Sequence, residues 1–158
     1  MDWPDSYLLI KSVHIISATV LFGTGLGTAY FFLSARRAND AVRLFAARTT
    51  VRADFLFTLP AVIIQPVTGA VLIMKSGLDP WALWLVASYA LYAVAGLCWL
   101  PVVWLQMRMM RMLEARNADA PFDAAAFERL RKIWFALGWP AFGALVIVFF
   151  LMVAKPSW

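Results

Sequence analysis

The sequence predicts an all-α integral membrane protein, a four-transmembrane-helix up-down bundle forming a single membrane domain over residues 1–158. Three observations predict it. The hydrophobic fraction is 63% and the charged fraction 15%, where a water-soluble domain carries about half apolar and about a quarter charged residues. The apolar excess is gathered into four blocks, each meeting the roughly 20 apolar residues that a spanning helix needs. Basic residues fall between those blocks, and eight Trp with four Tyr suit a protein that must hold two membrane interfaces.

The first block covers about residues 7–33. It follows Met1-Asp2-Trp3-Pro4-Asp5, which is acidic and lacks the basic n-region of a cleaved signal peptide, so the block is expected to be retained. The others cover about residues 55–74, 81–105 and 133–154. Each must be helical, because lipid offers backbone groups no partner outside their own segment. Barrel strands would alternate polar and apolar residues, and Ala61-Val62-Ile63-Ile64 does not. The short link Ser76-Gly77-Leu78-Asp79-Pro80 makes the second and third helices antiparallel neighbours, with Asp79 expected as N-cap and Pro80 at the first helical position. Before the fourth block, Asp123 is expected to cap an amphipathic start with Phe127, Leu130 and Trp134 on one face. Glu128 and Lys132 are spaced for an i, i+4 pair there.

Charge placement orients the chain. Arg36, Arg37, Arg43, Arg48 and Arg52 fill the first connection, and Arg108, Arg111, Arg116, Arg129, Arg131 and Lys132 the third. Only Lys11, Lys75 and Lys155 remain for the other side. The positive-inside rule then predicts a bacterial inner-membrane protein with both Arg-rich connections cytosolic and both termini periplasmic. The net charge of +5 is spent flanking apolar segments and makes no stripe with interleaved aromatics, which argues against nucleic acid as partner. A single cysteine, Cys98, excludes an intrachain disulfide and a multi-cysteine metal site.

Few residues could carry chemistry. His14 is the only histidine and sits roughly 10 Å below the outer boundary at about 1.5 Å per residue. Its helical face reads Tyr7, Lys11, His14, Ala18, Leu21, Gly25 and Thr28. An ionisable side chain at that depth is costly and normally faces the bundle or a wet cavity. Two readings follow: a functional residue with Lys11 beside it, either a ligand of a metal or haem iron or a proton carrier, or a hydrogen-bond donor that fastens two helices. Gly23 and Gly27 fit the small-residue spacing for close helix contact. In the second block Pro60 and Pro66 predict kinks. Asp54, Thr58, Gln65 and Gly69 share a face, and the midplane amide of Gln65 needs a partner, either a carbonyl freed by Pro66 or a group in a polar cavity. Met107, Met109, Met110 and Met112 suggest soft copper ligands or the filling of an interfacial face. There is no Ser-His-Asp set, and Gly23-Thr24-Gly25-Leu26-Gly27 follows no strand, so it is no dinucleotide fingerprint.

The stretches Lys11–Ile16, Leu21–Gly27, Asp54–Thr68, Cys98–Gln106, Trp134–Pro140 and Lys155-Pro156 closely resemble the bacterial predicted integral-membrane proteins of domain-of-unknown-function family 2269. Lys11-x-x-His14-Ile15-Ile16 and the Lys155-Pro156 ending also resemble, more distantly, the HemJ-type protoporphyrinogen oxidases. That second resemblance implies a four-helix haem-binding membrane protein and makes His14 the candidate ligand of haem b. With no second histidine, bis-His ligation within one protomer is impossible.

Three functions are therefore in play. One is a haem- or tetrapyrrole-binding redox protein with His14, Lys11 and Gln65 around the cofactor. Another is a non-enzymatic accessory or scaffold subunit, as a homodimer or in a larger membrane complex. The third is transport of a small solute or copper through a kinked bundle. In all three the lipid bilayer is the constant partner.

Overall fold

The computed structural model of the chain describes residues 5–156; the acidic start before Asp5 lies outside the described residues. All regular structure among them is helical. Helix α1 runs Asp5–Ser34 and ends in a tight turn, Ala35–Arg37. Helix α2, Asp40–Ala53, continues without a break through a wide π-helical turn, Asp54–Thr58, into α3, Leu59–Ser76. Helices α4, Leu83–Asn117, and α5, Ala124–Ala154, complete the set. Four rods result, Ser6–Arg37, Asp40–Ser76, Leu83–Asn117 and Ala124–Ala154, each long and apolar enough to cross a membrane. The first, second and fourth expected spans lie inside them, the third begins two residues before its rod, and the second, third and fourth rods run on well past the apolar blocks at the arginine end.

Local sequence explains the helix ends. Asn39 accepts from Val42 N at 3.0 Å to cap α2, and Asp123 accepts from Ala126 N at 2.9 Å to cap α5, as its sequence position implies. Gly77 closes α3 in the left-handed conformation (φ +64°) that glycine adopts without strain. Asp79 departs from expectation. Its carboxylate accepts from Trp81 N at 3.0 Å inside the link, and α4 starts only at Leu83, beyond Pro80. Asp79 therefore braces the turn between the rods.

The π turn has a clear origin. Pro60 has no N–H to return to Leu56, and its ring crowds that carbonyl. The chain relieves both by widening, so Leu59 N donates to the Asp54 carbonyl, five residues back.

Packing is uneven along the rods. At the arginine end Phe32, Leu44, Met109, Leu113, Phe127 and Trp134 belong to one buried core. Met109 is fully buried, with Met110 and Met112 packed against that core, so much of the methionine run is core filling. Phe127, Leu130 and Trp134 are all buried, as the amphipathic start predicts. Asp40 joins α2 to α4, receiving Arg116 Nε at 2.7 Å and Arg43 Nη1 at 3.2 Å, and Arg48 meets Glu114 at 3.0 Å. Glu128 pairs with Arg131 one turn on, in place of Lys132. At the end bearing both termini, Trp84, Leu85 and Leu151 make a smaller core. Between the two cores α4 and α5 stay closely paired, as do α1 and α3, while α1 and α5 barely meet along their backbones.

Candidate functional site

The gap between those helix pairs is a cavity of about 480 Å³, within the roughly 300–1,000 Å³ range of small-molecule sites. Its wall is largely apolar and aromatic. Leu21, Gly25 and Thr28 come from α1, Tyr92, Ala95, Gly96 and Trp99 from α4, and Gly138 and Phe142 from α5. Glycine serves a direct purpose at Gly25, where a Cβ would stand 3.2 Å from Phe142 Cζ. The aromatic rings Phe22 and Phe142 then meet edge to face with centroids 5.5 Å apart, bridging α1 and α5. The expected contact through Gly23 and Gly27 is not made within the chain, because a Cβ at either would meet nothing within 4 Å.

Polar side chains lie behind one part of this wall. Asp54 and Thr58, carried by the π turn, are 3% and 4% exposed, and Gln106 of α4 is 4% exposed. Thr58 Oγ1 donates to Asp54 Oδ1 at 2.9 Å. Gln106 and Trp99 also bring polar groups to the same carboxyl, and Asp54 Oδ2, Gln106 Oε1, Trp99 Nε1 and Trp134 Nε1 are enclosed without a fully formed hydrogen bond. All four residues line the cavity. Two acceptors and two donors are thus gathered behind one part of the wall, where a buried polar atom left wholly unpaired costs about 1–3 kcal/mol. Native proteins leave few such groups. Tyr92 is different, since its hydroxyl already donates to Val62 O at 2.7 Å.

Part of the wall is exposed to the outside. Tyr30 of α1 and Trp139 of α5 belong to the wall but are 67% and 68% exposed. Leu26 and Phe135 are exposed beside them. The opening between α1 and α5 is therefore framed by apolar and aromatic side chains on two membrane-crossing rods.

The residues singled out in the sequence lie elsewhere. His14 packs between α1 and α3, against Gly69, with Nδ1 2.7 Å from Thr68 Oγ1. With the Thr68 hydroxyl proton given to Ile64 O at 2.7 Å, the imidazole is assigned as the donor to Thr68 from Nδ1. Ser17, buried, returns a bond to the His14 carbonyl at 3.0 Å. Gln65 stands next to this pair; its backbone carbonyl accepts from Thr68 Oγ1 at 3.2 Å while its own buried Oε1 has no partner. Lys11 is exposed, 5.9 Å from the Tyr7 ring. The structure thus brings His14 to Gln65 and leaves Lys11 on the surface. The predicted common face of Asp54, Thr58, Gln65 and Gly69 also divides: the first two line the cavity, while Gly69 meets His14. None of His14, Lys11 and Gln65 is in the cavity wall, so a histidine-ligated haem does not fit that cavity. Among the described residues no three His, Cys, Asp or Glu side chains gather to hold a metal ion.

A family model described as "Predicted integral membrane protein (DUF2269)" matches residues 8–156, nearly the whole chain. The chain belongs to this family. No curated protein and no solved structure matches it. In this DUF2269 protein the polar group behind the cavity wall combines Asp54 and Trp134, which the sequence placed on a polar and an amphipathic helix face, with Trp99 and Gln106, which it did not single out. Gln106 falls one residue outside the third apolar block, where a polar residue attracts no notice. A usable signal was present, because none of Thr50, Val51, Phe57 and Thr58, the helical neighbours of Asp54, is basic.

Proposed function

We propose that this integral membrane protein takes a lipid-soluble molecule from the bilayer into the cavity between α1, α4 and α5, entering sideways past Tyr30 and Trp139. The single observation that supports the reading most is a cavity of about 480 Å³ with an apolar, aromatic wall, flanked by the exposed Tyr30 and Trp139 on two membrane-crossing rods. A lipid-soluble ligand would bury its apolar body against those rings, with Asp54 and Gln106 close behind one end. The arginine-rich ends lie in the cytosol of a bacterial inner membrane in this reading, which puts Asp54 and Gln106 towards the cytosolic side. The test is native mass spectrometry of protein drawn from its own membrane in nanodiscs. One lipid-soluble compound per chain is expected on the wild type and none on a Gly96→Leu/Gly138→Leu variant. Both glycines line the cavity and a Cβ at either meets open space, so that variant fills the cavity without disturbing the helices. Identical bound species on both proteins would refute the reading.

A second reading concerns His14. Its Nδ1–H is tied to Thr68, and a metal-binding histidine is usually oriented through the same kind of bond, which leaves Nε2 as the donor atom. Haem or another tetrapyrrole, if held there, would have His14 as its one histidine ligand and would supply redox chemistry. A Soret band that disappears in His14→Ala supports this, and protein that stays colourless after added haem ends it.

A further inference from the structure

Asp54 is a buried carboxylate without a counter-charge. Among the described residues the ion pairs engage Asp40, Glu114 and Glu128, and none reaches Asp54. The groups that face it are uncharged: Thr58 from its own rod, with Trp99 and Gln106 from α4. Trp134 of α5 lines the same cavity, and α1 contributes no charged residue to the wall. Arg52 and Arg108, near it in sequence, are both exposed. No Lys, Arg or His lines the cavity.

An isolated carboxylate in such surroundings persists only if it is protonated or if a cation stands beside it. The rest of the wall favours the cation. The rings of Phe22, Tyr92, Trp99, Trp134 and Phe142 line the cavity, and aromatic faces attract a desolvated positive charge. The same wall offers nothing to a carboxylate or phosphate head, which would meet Asp54 with no basic side chain to offset it. From this we infer, resting on the cavity reading above, that the ligand is a lipophilic monocation bound against Asp54 in exchange for a proton. The exchange balances as Asp54–COOH plus L⁺ giving Asp54–COO⁻ paired with L⁺ and one H⁺ released. A neutral hydrogen-bonding ligand is the rival outcome.

Tetraphenylphosphonium and tetraphenylborate, alike in size and shape and opposite in charge, distinguish the two in nanodiscs of zwitterionic lipid. The phosphonium is expected to bind, with affinity rising towards about tenfold per pH unit on the acid side and about one proton released per ion. The borate is expected not to bind. Asp54→Asn, which keeps the acceptor for Thr58, is expected to weaken phosphonium binding by about a hundredfold or more. Equal binding of both ions, or phosphonium binding that is independent of pH and releases no proton, overturns the inference on the wild-type protein alone, whether or not Asp54→Asn folds. If neither ion binds while the cavity-filling variant still loses its co-purified compound, the cation assignment fails and the cavity reading survives. If the variant loses nothing, both fail.

Discussion

At the scale of single residues, the hydrogen-bond inventory separates structural polar groups from those that wait for a partner. His14 and Asp54 are both ionisable and both inside the rods, but only His14 has its proton placed, through Thr68. Replacing Thr68 with Val should strand the imidazole N–H and cost about 1–3 kcal/mol of stability, read as a lower unfolding midpoint in detergent. A variant as stable as wild type would show that this bond does not fasten α1 to α3. The sequence made His14 conspicuous because it is the sole histidine, and depth made its burial legible. Asp54 was legible as part of a polar face with Thr58, but its surroundings were not. Its importance depends on which residues of α4 and α5 reach it, and no spacing along one helix reports on that.

At the scale of elements, the spans were readable because lipid makes a simple demand: about 20 apolar residues with every backbone group satisfied internally. The helical extensions at the arginine end were harder to read, since arginines ended the apolar blocks without ending the helices. What stops those helices is capping. Asp123 caps α5 as its sequence position suggests, and Asp123→Ala should lower stability by about 1 kcal/mol, measured by thermal or denaturant unfolding in micelles. Asp79 misled because an Asp-Pro pair suits both a helix start and a turn, and the link uses it as a turn. The ties between α2 and α4 rest on Asp40, which is partly exposed. Asp40→Ala should therefore cost no more than about 1 kcal/mol and lose part of that effect in high salt. A larger, salt-independent loss would mean that the pairs are shielded from water. The π turn is the element with the greatest consequence, since it carries both Asp54 and Thr58 into the cavity wall. Pro60 was legible as a disturbance, but the direction in which a widened turn aims its side chains was not.

At the scale of the whole molecule, two compact cores hold the rods at their ends and leave a cavity between, where α1 and α5 diverge. A bundle packed to the usual interior density has few voids much larger than a water molecule, so an apolar space of about 480 Å³ is the molecule's main departure from simple packing. Whether lipid-phase molecules reach it is the central question. A small neutral phenyl-diazirine, partitioned into the bilayer and photolysed, tests this most directly when the insertion sites are mapped by peptide mass spectrometry. Ala95 faces the cavity and is only 6% exposed, whereas Leu97 on the same helix is 70% exposed. Saturable insertion at Ala95 and Thr58, abolished in Gly96→Leu/Gly138→Leu while Leu97 stays labelled, is the predicted result. Insertion confined to Leu97 and other outward-facing residues would contradict it.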